Sequence, residues 1–171
     1  MFSKLDVGEF PLRLEEVEIG KVLSDFCDQV ANEYKERALF LSLQNNDVQL
    51  FSNIDIVQFR SVLNNILENS LKYKINEDVK SEIEYYESDG NIEITITDDG
   101  TGVPEENIDK LFDVFYRGDA SRKDSSNGSG LGLAISRKII DRIGGTIDAK
   151  NAELGGLTII ITLAKINTEV L

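Results

Sequence analysis

Histidine is absent from the 171-residue sequence, cysteine occurs once, and 18 basic residues face 31 acidic ones. Without histidine there is no Ser-His nucleophile pair, no histidine-containing zinc site and no imidazole general base. A single cysteine, Cys27, permits neither an internal disulfide nor a cysteine-based metal site. It falls within a helical apolar pattern, where a thiol acts as a small buried hydrophobe. The net charge of −13 argues against a nucleic-acid surface, which needs clustered Lys and Arg. No apolar run approaches bilayer-spanning length and no leader pattern opens the chain, so no direct membrane contact is expected of this stretch. An anionic ligand would have to be met by a few cations gathered locally.

What is present suits one soluble domain with a real core: 41% of residues are apolar and 29% charged. The opening "FSKLD" reads as the end of a helix, and Pro11 breaks any continuation. From Glu18 to Ala38 apolar residues recur at helical spacing. Strand candidates follow at Leu39 to Leu43 and Val48 to Phe51, with a turn signal, "QNND", between them. Asp55 predicts the N-cap of a long helix through Tyr73. Alternation in Val79, Ser81, Ile83 and Tyr85, then in Ile92, Ile94 and Ile96, predicts two strands joined at Asp89-Gly90. A short helix is expected near Glu105 to Leu111, and a further one from about Gly130 to Ile143, ended by Gly144-Gly145. Strands Gly145 to Lys150 and Leu157 to Lys165 close the chain. Hairpins interleaved with helices predict an α+β fold of two layers, a mixed, mostly antiparallel sheet covered by helices on one face.

Four short motifs carry chemistry. In "QFRSVLNNILENSLKY" the residues Asn65, Asn69, Lys72 and Tyr73 share one stripe beside the apolar one, at about 100° per residue. Neutral amide oxygens suit Mg²⁺, Lys72 suits phosphate, and Tyr73 suits the face of a base. A solvated helix face is the plain alternative. In "ITDDGTGVP" Asp98 ends a strand ahead of Gly100 and Gly102. Its carboxylate can accept from an exocyclic amine, and the glycines permit close approach of a flat ligand; the plain alternative is an ordinary Asp-Gly turn. In "LFDVFYRGDASR" the aromatics Phe112, Phe115 and Tyr116 read as core, while Arg117 and Arg122 lie in a polar loop able to fold over phosphates. In "NGSGLGLAIS" Gly128, Gly130 and Gly132 flank Leu131 at the start of a helix. Such a turn, with its free N–H groups, is built to receive phosphate.

Taken in this order, the four motifs resemble the ATP-binding catalytic domain of bacterial sensor histidine kinases, in the superfamily of gyrase, MutL and one kind of heat-shock chaperone. "SNIDIVQFRSVLNNILENSLKY" is similar to the family's Asn-containing box and "GSGLGLAIS" to its second glycine box. The resemblance implies ATP and Mg²⁺ as cofactors and the Bergerat ATP-binding fold. It implies Asn69 as Mg²⁺ ligand, Asn65 on phosphate or a second metal contact, and Asp98 on the adenine amine with Gly100 and Gly102 beside it. Tyr73 would line the adenine, Lys72 and Arg122 the phosphates, and Arg117 the γ-phosphate. Gly128, Gly130, Leu131 and Gly132 would border a lid from about Arg117 to Ser129, expected to be mobile without nucleotide. Residues 1–15 would be the end of a preceding dimerisation and phosphoacceptor helix with its linker, and residues 16–171 the catalytic domain. The partners implied are that domain, which carries the histidine, and indirectly a response regulator. The location implied is cytoplasmic, in a parent anchored to a membrane.

Other readings explain less. ATPases of the superfamily resemble one another in placing a Glu base four residues before the metal-binding Asn, and here that position is Asn65. Glu68 adjoins Asn69 on another part of the helix and is poorly aimed at water. A serine kinase of the anti-sigma type fits the start of the chain and "YRGDASR" less well. A degenerate docking module would not be expected to keep every box intact.

Overall fold

The computed structural model describes residues 11–44, 46–113, 132–153 and 155–167. Strand β1, Glu15–Glu18, leads directly into helix α1, Ile19–Glu36. The helix buries Ile19, Val22, Leu23, Phe26, Val30 and Tyr34, the stripe expected of a 3.6-residue period. It stops two residues before the predicted Ala38, which adopts φ 67°, a left-handed turn incompatible with helix. Strand β2, Leu39–Leu43, follows at once.

The next strand, β3, is Phe51–Ile54 rather than Val48 to Phe51. Asn46 Oδ1 accepts from the Val48 N–H at 3.0 Å, which makes the expected turn. The strands on either side of that turn join different sheets. β3 pairs antiparallel with β1, Glu15 opposite Ile54 and Glu18 opposite Phe51. β1 was not foreseen, because "EEVE" has one apolar residue and no alternation to announce a strand.

Helix α2, Ile56–Lys72, begins where Asp55 predicts. One carboxylate oxygen of Asp55 accepts the Gln58 N–H at 3.1 Å and the other the Arg13 N–H at 3.0 Å. The cap therefore also holds the chain entering β1. Strands β4, Val79–Ser88, and β5, Asn91–Asp98, form the predicted hairpin. Its turn residues Asp89 and Gly90 both have positive φ, 51° and 79°, the twist that suits a two-residue hairpin. A short 3-10 helix, Glu105–Lys110, stands where a short helix was expected. Helix α3, Gly132–Arg142, and strands β6, Thr146–Asn151, and β7, Leu157–Ala164, complete the described fold.

The main sheet has the order β2-β4-β5-β7-β6. Only β2 and β4 run parallel; the other neighbours are antiparallel. Ile92, Ile94 and Ile96 of β5 and Ile159 and Ile161 of β7 bury one face of the sheet in a single apolar core with α1, α2 and α3. The opposite face carries Glu84, Tyr86 and Asp148, all exposed. The expected α+β fold, with a mixed and mostly antiparallel sheet, is the one observed.

The turn from β6 to β7 comes to rest on the end of β5. Gly156 has φ 88°, and a Cβ built on it would lie 1.9 Å from the Asp98 carbonyl oxygen. No side chain fits there, and the backbone angle is one that only glycine holds without strain.

Two stability outcomes follow from these contacts. Asp55→Ala loses the cap and the tie to residue 13, and is expected to cost about 1–2 kcal/mol in urea unfolding. Gly156→Ala is expected to cost more, about 2 kcal/mol or above, because strain and overlap add. Unfolding curves that rank the two variants the other way would contradict this account of the β6–β7 turn.

Candidate functional site

The residues predicted as a stripe on α2 differ in their surroundings. Asn65 is half-buried. Its Nδ2 donates to the Gly132 carbonyl at 3.1 Å and contacts Ser136 Oγ at 3.2 Å. Because the Gly132 carbonyl only accepts, the amide nitrogen must face α3 and the oxygen must turn away from that carbonyl. Ser136 Oγ in turn donates to the same carbonyl at 2.9 Å. Asn65 thus fastens α2 to the first turn of α3. Asn69, one turn further along α2, is half-buried, and its side-chain amide has no hydrogen-bond partner among the described residues. Lys72 closes the helix with its ammonium 5.4 Å from the centroid of the Tyr73 ring.

Two other polar residues of this helix, Asn64 and Glu68, face α1. Asn64 Oδ1 accepts from the Tyr34 hydroxyl at 2.9 Å. Glu68 forms a two-bond pair with Arg37, at 2.5 and 2.7 Å. Arg37 also lies over the Tyr34 ring, 5.5 Å from its centroid. The Tyr34 hydroxyl is held well above its ordinary pKa, by burial first and then by the charge of Glu68. Glu68 is therefore committed to a contact between α1 and α2, consistent with its poor aim at water.

Asp98, only 7% exposed, ends β5 against α2. Its Oδ1 accepts the Gly100 N–H at 3.0 Å and the Leu157 N–H at 3.2 Å. Its Oδ2 accepts the Ser70 hydroxyl at 2.8 Å. Burial raises the pKa of this carboxyl, the three donors oppose that shift, and neighbouring Asp99 adds to it. The net direction is upward, so desolvation outweighs three hydrogen bonds.

The glycines after Asp98 serve the protein's own backbone. A Cβ on Gly100 would lie 2.6 Å from the Tyr73 carbonyl oxygen, which accepts the Thr101 N–H at 3.0 Å. The loop after β5 is thereby docked on the C-terminus of α2. Gly102 has φ 71° and packs on Asn151 and Gly156. Asn151 holds both polar groups of the Val103 backbone, accepting its N–H at 2.8 Å and donating to its carbonyl at 2.5 Å. A side-chain amide here replaces a strand pairing. Neither Asn151 nor Gly156 was a predicted site residue. The Gly155-Gly156 pair was the available signal, but it reads equally well as a plain hairpin turn.

Gly132 opens α3, and a Cβ there would make only ordinary contacts, 3.7–3.8 Å, with Asn65. Phe112 is buried, as an ordinary core aromatic should be, with the Arg137 guanidinium 5.2 Å from its ring centroid. Cys27 is partly buried, and its thiol is pushed up to about 11 by burial and by Asp28, which makes it unreactive. Arg117, Arg122, Gly128, Gly130 and Leu131, with Phe115 and Tyr116, lie outside the described residues, as does the whole of the expected lid.

Asn65, Asn69, Lys72, Tyr73, Asp98, Gly100, Gly102 and Gly132 are thus contributed by α2, the end of β5 and the start of α3. Among the described residues no group of three His, Cys, Asp or Glu could hold a metal ion. Within this set the neutral side-chain amides are Asn65 and Asn69, whose oxygens are of a type that suits a hard cation. Among the described residues no helix is long and apolar enough to cross a membrane.

Comparison with known proteins gives this geometry a family. Residues 54–167 match the family described as histidine kinase-, DNA gyrase B-, and HSP90-like ATPase. The sensor histidine kinase WalK of Bacillus subtilis is 33% identical over 163 residues, which cover 94% of this chain and 26% of WalK. The chain therefore spans about a quarter of the length of that relative. Among solved structures, the catalytic domain of histidine kinase ThkA superposes with a TM-score of 0.74 at 22% identity, covering 90% of this chain and 97% of that one. Full-length ShkA, solved in complex with AMPPNP, gives 0.78 at 19% identity over 97% of this chain and 34% of ShkA. At these identities the structures speak for the fold. With the family match across two-thirds of its length, the chain belongs to the histidine kinase-, DNA gyrase B- and HSP90-like ATPases.

Proposed function

We propose that this chain is the catalytic domain of a sensor histidine kinase: it binds Mg·ATP and transfers the γ-phosphoryl group to a histidine on a separate dimerisation domain. The carrying observation is Asp98, a buried carboxylate pinned by three donors at the strand end that meets α2 at Ser70, the residue after Asn69. In this reading Asp98 accepts the exocyclic amine of adenine, and Tyr73 lies along the base. Gly100 and Gly102 shape the loop on which that carboxylate rests.

The residues fit a magnesium ion held by phosphates. Asn69 offers a half-buried amide oxygen with no partner among the described residues. The Asn65 amide, turned by its bonds to α3, directs its oxygen away from that carbonyl, toward phosphate or metal. The ion would supply positive charge between phosphate oxygens in a chain of net charge −13. Lys72, Arg117 and Arg122 would add to that charge, Arg117 at the γ-phosphate. Gly128, Gly130, Leu131 and Gly132 would present main-chain N–H groups from the start of α3.

Phosphoryl transfer asks mainly for positioning and charge stabilisation, and these residues offer both. The acceptor must come from outside, because the chain has no histidine. Hydrolysis would need a base, and Glu68 is held by Arg37 while Asn65 occupies the place where superfamily ATPases carry theirs. The relatives' sensor-kinase character supports a cytoplasmic setting, a membrane-anchored parent, and a response regulator that receives the phosphoryl group downstream.

Four measurements test this reading. Asn69→Ala is expected to lower Mg²⁺-dependent ATP-analogue affinity at least tenfold by calorimetry; an unchanged affinity would remove Asn69 from the metal site. Asp98→Asn is expected to shift the ATP-to-GTP affinity ratio toward one. Folding raises the pKa of Asp98, so its contribution to stability is present below the ordinary carboxylate range and is lost as pH rises through the folded value. Asp98→Asn should therefore melt no lower than wild type at pH 7, and a marked fall in its melting temperature would reverse that sign. With labelled ATP, the chain should phosphorylate an added dimerisation domain at histidine and leave itself unlabelled.

A further inference from the structure

Ser70 is 2% exposed and sits on α2 immediately after Asn69. Its hydroxyl has one proton and two acceptors in reach: Asp98 Oδ2 at 2.8 Å and the Ile66 carbonyl at 3.3 Å. The ionised carboxylate is the nearer and the stronger acceptor. The bond joins α2 to the end of β5, two elements 28 residues apart in sequence.

This bond decides what the carboxylate has left to offer. An ionised carboxylate has about four acceptor directions. Oδ1 spends two on the main-chain N–H groups of Gly100 and Leu157. Oδ2 spends one on Ser70. A single direction remains, on Oδ2, which matches one N–H of an exocyclic amine. Without the Ser70 hydroxyl, Oδ2 has no protein donor among the described residues, and its plane is fixed from the Oδ1 side alone. Ser81 does not share this task. It lies directly opposite Asp98 on β4 and is 1% exposed. Its Oγ is the one buried side-chain polar atom without a hydrogen bond among the described residues.

We infer that Ser70 is a positioning residue for base recognition: its hydroxyl holds Asp98 Oδ2 so that the carboxylate accepts the 6-amino group of a purine nucleotide. The inference rests on the proposed reading of Asp98 as the contact to adenine. It also places Ser70, which holds the base reader, next to Asn69 on one turn of α2, so that turn would bear on both ends of the nucleotide.

The test uses two nucleotides that differ only at the 6-position: ADP and purine riboside diphosphate, which carries hydrogen in place of the amine. Wild type is expected to favour ADP by about tenfold, the scale of one hydrogen bond to a charged group. Ser70→Ala should bring that ratio close to one while leaving affinity for the 6-hydrogen nucleotide within about twofold. Ser70→Cys keeps the side-chain shape, with a somewhat larger atom, but donates weakly, so it should lower the ratio as well, and it serves if the alanine variant folds poorly. Ser81→Ala should leave the ratio at the wild-type value. A wild-type ratio retained in both Ser70 variants overturns the inference, whether or not overall affinity falls. A wild type that binds both nucleotides equally, or neither, overturns the reading of Asp98 itself, and the inference with it. The two failures are distinguished by the wild-type titrations alone.

Discussion

One carboxylate organises this molecule. Asp98 ends β5, the central strand of the main sheet, and its two oxygens draw in three other parts of the chain: the loop at Gly100, the start of β7 at Leu157 and helix α2 at Ser70. Burying a carboxylate is unfavourable unless it is well bonded, and here the three donors only partly offset the desolvation. That residual cost is what makes the position chemically expressive: a buried acceptor with unspent capacity favours a ligand that supplies the missing donor. The proposed adenine contact would be such a ligand.

The surrounding backbone is shaped to let this happen. Gly156 lies so close to the Asp98 carbonyl that no side chain fits between them, and Leu157 can then present its N–H to the carboxylate. Gly100 brings the loop onto the Tyr73 carbonyl at the end of α2, and Asn151 secures the next stretch at Val103. The glycines that seem in the sequence to await a flat ligand are first occupied with the protein's own main chain. A rigid rim around one polar atom results, on a frame of strands and a helix. Preorganisation of this kind lowers the ordering cost of binding.

Helix α2 divides its labour by face. Its apolar stripe, with Phe59, Val62, Leu63, Ile66 and Leu67, is part of the core. Asn64 and Glu68 tie it to α1, while Asn65 ties it to α3 and Asn69 has no such tie among the described residues. The neighbouring pairs Asn64–Asn65 and Glu68–Asn69 have opposite roles because adjacent residues on a helix point about 100° apart. This separation supports phosphoryl transfer over hydrolysis, since the acidic side chain nearest the stripe is turned away from it and neutralised by Arg37.

Elements with a strong period or cap are legible in the amino-acid order alone. These are α1 and α2 from their apolar stripes and Asp55, the β4–β5 hairpin from Asp89-Gly90, and the end of α3 at Gly144. Local physics suffices there, because each signal lies within a few residues of what it specifies. The amino-acid order also marked Asn65, Asn69, Asp98 and the glycine boxes, since those residue types recur at spacings with a chemical reason. The remaining features depend on contacts distant in sequence and emerge on folding. β1 is a strand because β3 lies beside it, not because "EEVE" prefers to be one. Ser70 looks like any small helix residue until Asp98 arrives 28 positions later. Gly156 and Asn151 look like turn residues until the end of β5 packs on the first and the loop after it on the second. A hydrogen bond between remote segments leaves no period in either one, so its partners become visible only when the chain has folded.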